Sequence, residues 1–498
     1  MEPAEGGRQP REGAQSQSPR GRKVPLVWIV PAVALLAAVG ILVGQLLGPR
    51  TTPPSATAPG PPEQPQTQTR LHTRTLPNGL EVIIYEDHTA PVVAVHVWYR
   101  VGSRNEVPGK RGLAHLMEHM MFKGSKNVGP EEHARMIDRV GGVENAFTRE
   151  DVTGYFDIVP AEALELAVRL EAERMHNLVL TQEHLDSERE VVKEEYRLRL
   201  ENNPVVQAFD RFRQLAFEGT PYAWTAAGTP EDLDNITLDD LEKFYKTYYA
   251  PNNAVLILAG DVAPERGFEL AEQYFGPIPR GSEPPEVAIE PPEQTALREE
   301  TLTMPVQLPA VLGGYPLPGV GHEDLPALEV AGTILTAGES SRLNKSLVRG
   351  QKLAVAAGGI PLIYKDLGMM LLFAFFTPDK DPAAVREALL QEIYRLKEEP
   401  VEERELQKAK NQLTAQYVFN LDSISGVGSA LGEAAVIGGD VRLFLEGAER
   451  YEGVTAEDVQ RVAQTYFRDE KLTLVTLQPA PGEEAGEGEE EGEEETLP

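Results

Sequence analysis

The sequence predicts an α+β protein of two homologous halves, each a mostly antiparallel sheet packed with helices, preceded by one transmembrane helix. Three observations lead there: an uncharged apolar run near the N-terminus, a Pro-rich divider near the middle, and the same order of strand, long helix, further helices and closing strand on either side of it. With 498 residues, 41% of them hydrophobic and 25% charged, the chain has the composition of a globular protein and room for more than one core. Its formal charge of −31 excludes nucleic acid as a partner, because phosphates would repel it. It has no cysteine, so any metal site must be built from His, Asp and Glu.

Taken in order, residues 1–23 read as a cytoplasmic segment ending in Arg20, Arg22 and Lys23. Residues 24–48, VPLVWIVPAVALLAAVGILVGQLLG, carry no charge, and Gln45 is their one strongly polar member. At about 1.5 Å per residue this run crosses a hydrocarbon core of roughly 30 Å. The basic residues before it keep the N-terminus inside and send the bulk of the chain across, as a signal anchor. A cleaved signal peptide is the alternative, with Ala56 and Ala58 in an A-x-A pattern, but the apolar run exceeds an ordinary signal-peptide core. Residues 49–70, rich in Pro, Thr and Gln, form an extended linker.

The first half, residues 71–280, opens with a hairpin, HTRTLPNGLEVIIYED, whose turn signal is Asn78-Gly79. The strand PVVAVHVWYRVGS follows, and PNNAVLILAGDV closes the half. Residues 281–295, overlapping the Pro-rich stretch 276–294, are the linker between halves. The second half, residues 296–480, has a strand in LPAVLGGYPLPG, one long helix over EDLPALEVAGTILTAGESSRLNKSLV and a closing strand in EKLTLVTLQPA. Residues 481–498 hold nine Glu and no base, which makes them a solvated, disordered tail.

The chemistry concentrates in RGLAHLMEHMMFKGS, residues 111–125, which reads as an apolar helix interrupted by His115, Glu118 and His119. Positions i and i+4 of a helix lie about 40° apart, so His115 and His119 can present two imidazoles to one ion. Glu118 falls about 60° to the other side of His115, close enough to act as a base without being a ligand. Leu116, Met117, Met120 and Met121 would pack the helix. A polar pair satisfied within the core is the competing reading, and two histidines alone do not complete a catalytic zinc site, which takes three protein ligands.

A third ligand is available in TQEHLDSEREVVKEEYRLRLENNP, residues 181–204, a helix ended by Asn-Asn-Pro. Its apolar stripe reads Leu185, Val191, Val192 and Leu198, and Glu188 and Glu195 complete that face. Carboxylates on the core side of a helix require a partner or a metal. This makes Glu195 the third ligand and Glu188 a supporting or substrate-side carboxylate. A charged, solvated helix on which such a face arises by chance is the alternative.

HLMEH followed by EREVVKEE resembles the inverzincin peptidases: pitrilysin, insulin-degrading enzyme, and the mitochondrial processing peptidase with its bacterial relatives. The resemblance runs from about Leu71 to Leu477. It implies a processing-peptidase-like fold with one Zn2+ per chain on His115, His119 and Glu195, Glu118 as general base for a zinc-activated water, and Glu188 as a further catalytic-site carboxylate. It also likens GGVENAFTREDVTGYF, residues 141–156, to an edge strand that pairs with substrate backbone through Asn145, Ala146 and Phe147. The expected activity is metalloendopeptidase cleavage of extended peptides or unfolded polypeptides.

The pattern breaks in the second half. Active relatives use an Arg and a Tyr, seven apart, to hold the substrate carbonyl, and in SSRLNKSLVRGQKLAVAAGG those positions fall on Val348 and Val355. Arg349 is one residue off, and Tyr364 lies too far along. The expectation is therefore a zinc-bearing chain that needs a sister peptidase-like subunit carrying the Arg/Tyr pair, or a homodimer. Its location would be the bacterial inner membrane, held by the N-terminal helix with the catalytic part in the periplasm. A noncatalytic or weakly active scaffold subunit is the rival.

Overall fold

In the computed structural model the described residues are 70–480. The expected anchor at 24–48, nearly all of the linker after it and the acidic tail lie outside them. Among the described residues no helix is long and apolar enough to cross a membrane.

Eleven strands among the described residues form two sheets. The first contains β1 (Leu71–Thr75), β2 (Glu81–Glu86), β3 (Val92–Tyr99), β4 (Val143–Thr148), β5 (Thr153–Pro160) and β6 (Ala254–Gly260), in the order β1-β2-β6-β3-β5-β4. The second contains β7 (Arg298–Met304), β8 (Ala310–Pro318), β9 (Ala356–Ile363), β10 (Leu367–Phe375) and β11 (Thr473–Pro479), in the order β7-β11-β8-β10-β9. In each, the last strand of the half inserts between its opening strands, parallel to one and antiparallel to the other; every other pairing is antiparallel. With β1 set aside, the two orders are the same, as an internal duplication requires.

The duplication also survives in the caps. The helices that precede the two closing strands, Leu238–Tyr248 and Ala456–Tyr466, both begin with a Thr-x-x-Asp capping box, Thr237 with Asp240 and Thr455 with Asp458. The hairpin between β1 and β2 turns where Asn78-Gly79 predicts, with Gly79 at φ +94°.

Two expectations change. The long second-half helix is broken: Leu325–Thr336 ends before Gly338, whose φ of +75° a helix does not adopt, and helical structure resumes before the π-helical turn Asn344–Gly350. On helix Gln182–Tyr196, Leu185 and Val192 are fully buried, but Val191 is 42% and Leu198 63% exposed. The buried stripe is therefore Leu185, Glu188 and Val192. Leu198, like Val191, falls to one side of that face: at about 100° per residue both lie well round the helix from Leu185 and Val192.

The halves exchange helices. Helix Pro204–Ala216 of the first half reaches the second sheet, where the Phe212 ring fills the space over Gly314 of β8 and Arg211 makes a forked ion pair with Glu300 of β7. Helix Ile424–Gly432 of the second half packs on the first sheet, with Gly428 against His96 and Gly432 against Trp98. A β-carbon at either glycine would lie within 2.5 Å of those rings, so the close approach demands glycine. Val427 and Leu431 from this helix share one apolar cluster with Ile83, Trp98 and Ile257 of the first sheet. The remaining seam is polar: buried Arg104 pairs with Asp151 at 2.8 Å and with Asp366 at 2.6 Å, and donates to the carbonyl of linker residue Val287.

Candidate metal centre

Helix Leu113–Met120 carries the two histidines through the interior of the first half. Leu116, Met117 and Met120 are fully buried and Met121 nearly so, so the apolar residues pack the helix as the sequence predicts. The helix begins abruptly at Gly112, which has φ +87° and lies against Ala227 and Leu233. Glu106 caps it from a preceding loop: its two carboxylate oxygens accept the Gly112 and Ala114 backbone N–H groups at 3.0 and 2.8 Å. A carboxylate there also faces the positive end of the helix dipole. Burial nevertheless pushes the Glu106 pKa up to about 8. No periodicity marks Glu106 in the sequence, since a single acid in a loop reads as solvent-facing.

His115 and His119 stand 4.9 Å apart between ring centroids, with their planes at 88°. Both Nε2 atoms face Glu195 of helix Gln182–Tyr196, at 3.8 Å from His115 to one oxygen and 3.9 Å from His119 to the other. The three side chains form a group whose ligand atoms lie within 4.8 Å of one another. Bonds of about 2.0 to 2.2 Å at a tetrahedral angle place two ligand atoms roughly 3.4 Å apart, so a small contraction would close this set around a zinc ion. The donor chemistry fits as well. Burial, with His119 and Arg199 adding to it, holds the His115 imidazole well below its usual pKa and therefore neutral, the form that ligates. Glu195 Oε2 is buried with no hydrogen-bond donor.

Glu118 is fully buried beside this group. One of its oxygens accepts from the Thr148 hydroxyl at the end of β4, while Oε1 is buried with no donor. Burial raises its pKa well above the usual carboxylate range, the Thr148 bond opposes this and the Glu195 charge adds to it. Glu188 lies elsewhere: it accepts from His119 Nδ1 at 3.2 Å and from Lys123 at 2.8 Å, on the side of the ring away from Glu195. Burial acts to raise its pKa, but these two bonds prevail and hold it below the usual value. An Nδ1–H donated to Glu188 sets the tautomer that carries its lone pair on Nε2, the atom that faces Glu195.

Asn145, Ala146 and Phe147 lie on β4, which is the edge of the first sheet. The Asn145 side chain accepts the Ala146 backbone N–H at 2.8 Å. Val348 packs partly buried against the second-half core, and Val355 precedes β9. Neither neighbour acts as a stand-in near them: Arg349 is ion-paired with Glu339, and Tyr364 stacks on Tyr222 with centroids 4.6 Å apart at 12°. Lys123 and Thr148 escaped the sequence reading because only the fold brings them to His119 and Glu118.

Comparison with known proteins agrees with this division of the chain. Residues 81–229 match the family model described as Insulinase (Peptidase family M16), and residues 235–413 match the one described as Peptidase M16 inactive domain. The three convergent side chains fall in the first match, and among the described residues no metal-capable group of His, Asp and Glu falls in the second. A zinc protease, PqqE, from Helicobacter pylori is 34% identical over 409 residues, covering 81% of this chain and 92% of its own. The crystal structure of a protease from Helicobacter pylori superposes with a TM-score of 0.78 at 33% identity, over 82% of this chain and 99% of that one. The mitochondrial-processing peptidase subunit beta of Lentinula edodes is 27% identical, covering 81% of this chain and 89% of its own.

Proposed function

The chain belongs to peptidase family M16, the insulinase family, and from that premise we propose that it is a zinc-dependent endopeptidase acting on extended peptides or unfolded polypeptides. The observation that carries the reading is the convergence of His115 Nε2, His119 Nε2 and the Glu195 carboxylate, with the buried Glu118 carboxylate beside them. These three residues would hold one Zn2+. The metal, when bound, supplies Lewis acidity, which polarises a scissile carbonyl and lowers the pKa of a water.

Glu118 then has the part of general base, taking a proton and returning it to the departing amine. The Thr148 hydroxyl fixes one of its oxygens and leaves Oε1 for the proton. Glu188 is a positioning residue, holding the His119 ring and its tautomer. Substrate would add as a further strand along β4 at Asn145, Ala146 and Phe147, which brings its backbone past Thr148 and so to Glu118.

Val348 and Val355 cannot donate a hydrogen bond to the developing oxyanion, a contribution commonly of 10² or more in rate. The chain would therefore work with a sister subunit that supplies an Arg and a Tyr, or as a homodimer, anchored by residues 24–48 in a bacterial inner membrane with this part in the periplasm. A weakly active scaffold subunit is the second reading, favoured by the two valines alone. Peptide cleavage by the full chain, alone and mixed with a sister chain bearing the pair, separates the two. Glu118→Gln should abolish cleavage while zinc stays bound; undiminished cleavage by that variant would remove Glu118 as the base.

A further inference from the structure

We propose that His133, Glu144 and Asp157 form a second divalent-cation site, separate from the His115, His119 and Glu195 group. The three come from three elements: His133 from helix Glu132–Arg139, Glu144 from edge strand β4 and Asp157 from its neighbour β5. Glu144 and Asp157 are direct cross-strand partners, and His133 lies over the pair. His133 Nε2 is 3.2 Å from one Asp157 oxygen and 3.6 Å from Glu144 Oε2. All three ligand atoms fall within 4.8 Å of one another. Separations of 3.2 and 3.6 Å bracket the roughly 3.4 Å expected for ligands bound tetrahedrally to one ion.

Two further observations favour a cation over a self-contained polar network. Glu144 Oε2 is buried and has no hydrogen-bond donor, although Asp157 and His133 are bonded to each other. The charge count is also unequal. Asp157 and Glu171 are fully buried and Glu144 is largely so, and the buried cation among them, Arg174, turns its Nε and Nη2 to Glu171. Three carboxyl groups therefore share one guanidinium in a dry setting, where a divalent cation would be a favourable further partner. An imidazole with two carboxylates suits a first-row ion such as Zn2+, Mn2+ or Co2+.

The site would have a mechanical effect. Glu144 and Thr148 are four residues apart on β4 and so share a face, roughly 13 Å from one another along the strand. A cation would tie the outer strand to β5 and to helix Glu132–Arg139, and Thr148 already ties its far end to Glu118.

The test is a metal count on the full chain, stripped with chelator, reloaded with Co2+ or Zn2+ and desalted. The wild type should hold two equivalents. His119→Gln should hold one, retained at the second site. His133→Asn and Glu144→Gln should each hold one as well, with the weaker site's affinity down by at least about tenfold. Glu144→Gln is isosteric, and it decides the matter if His133→Asn does not fold. A single equivalent in saturated wild type, or two equivalents in both second-site variants, would overturn the proposal. The count does not depend on whether the chain cleaves peptides.

Discussion

Replacing Glu188 with Ala tests how much of the first metal site is held from behind. Its carboxylate is almost fully buried and has two partners, His119 Nδ1 at 3.2 Å and Lys123 at 2.8 Å. Removing it has three consequences: the His119 ring loses the acceptor that fixes its tautomer, an imidazole N–H is left unpaired, and a half-buried ammonium is left facing the ligand set. Loss of such an outer partner lowers metal affinity by about 10- to 100-fold, which corresponds to about 1.4 to 2.7 kcal/mol. Glu188→Gln keeps an oxygen acceptor for His119 and removes only the charge opposite Lys123, so its loss should stay below about tenfold. Zinc affinity by chelator competition measures both, with circular dichroism to confirm that each variant is folded. At saturating zinc the Gln variant should recover most of its cleavage rate. An Ala variant that binds zinc within about twofold of wild type would refute the positioning role and with it the account of the His119 tautomer.

Two further outcomes concern the way the halves hold together. Gly432→Ala would put a β-carbon 2.3 Å from the Trp98 ring, forcing helix Ile424–Gly432 off the first sheet. The expected loss is about 1 to 3 kcal/mol of stability, read as a lower Tm, and an unchanged Tm would mean the helix can shift freely. His96 is fully buried against the same helix, with its Nδ1 accepting from the Trp98 ring N–H, and burial lowers its pKa to about 3. The unfolded chain then takes up the proton first. Stability should fall by about 1.4 kcal/mol for each pH unit below about 6.5 until pH nears the folded pKa. Urea unfolding at pH 7, 6 and 5 should show a shallower slope for His96→Gln, and equal slopes would assign the acid sensitivity elsewhere.

Much of the first metal site is legible in the sequence because helical geometry is local. The four-residue spacing of His115 and His119 dictates a shared face wherever the helix lies, and the seven-residue spacing of Glu188 and Glu195 does the same. The sequence also shows the strand before each long helix and the closing strand at the end of each half, since those runs are apolar and bounded by turn residues. It cannot show that Glu188 belongs behind His119 while Glu195 faces the two Nε2 atoms, because both acids look alike on a helical projection. Leu198 lies in solvent, although its apolar character alone would place it inside.

The sequence by itself determines the outline of the repeat and the ligand types, which depend on residue identity and short spacing. Tertiary structure alone decides what meets across long separations. Glu106 reaches the start of the histidine helix, Thr148 reaches Glu118, and His133, Glu144 and Asp157 converge from three elements. It also decides that each half lends a helix to the other's sheet, so that the linker divides the chain without dividing the packing. The physical reason is range. Hydrogen-bonded periodicity is set by neighbours three or four residues apart, whereas burial of a charge is settled by whichever groups the whole chain brings to it.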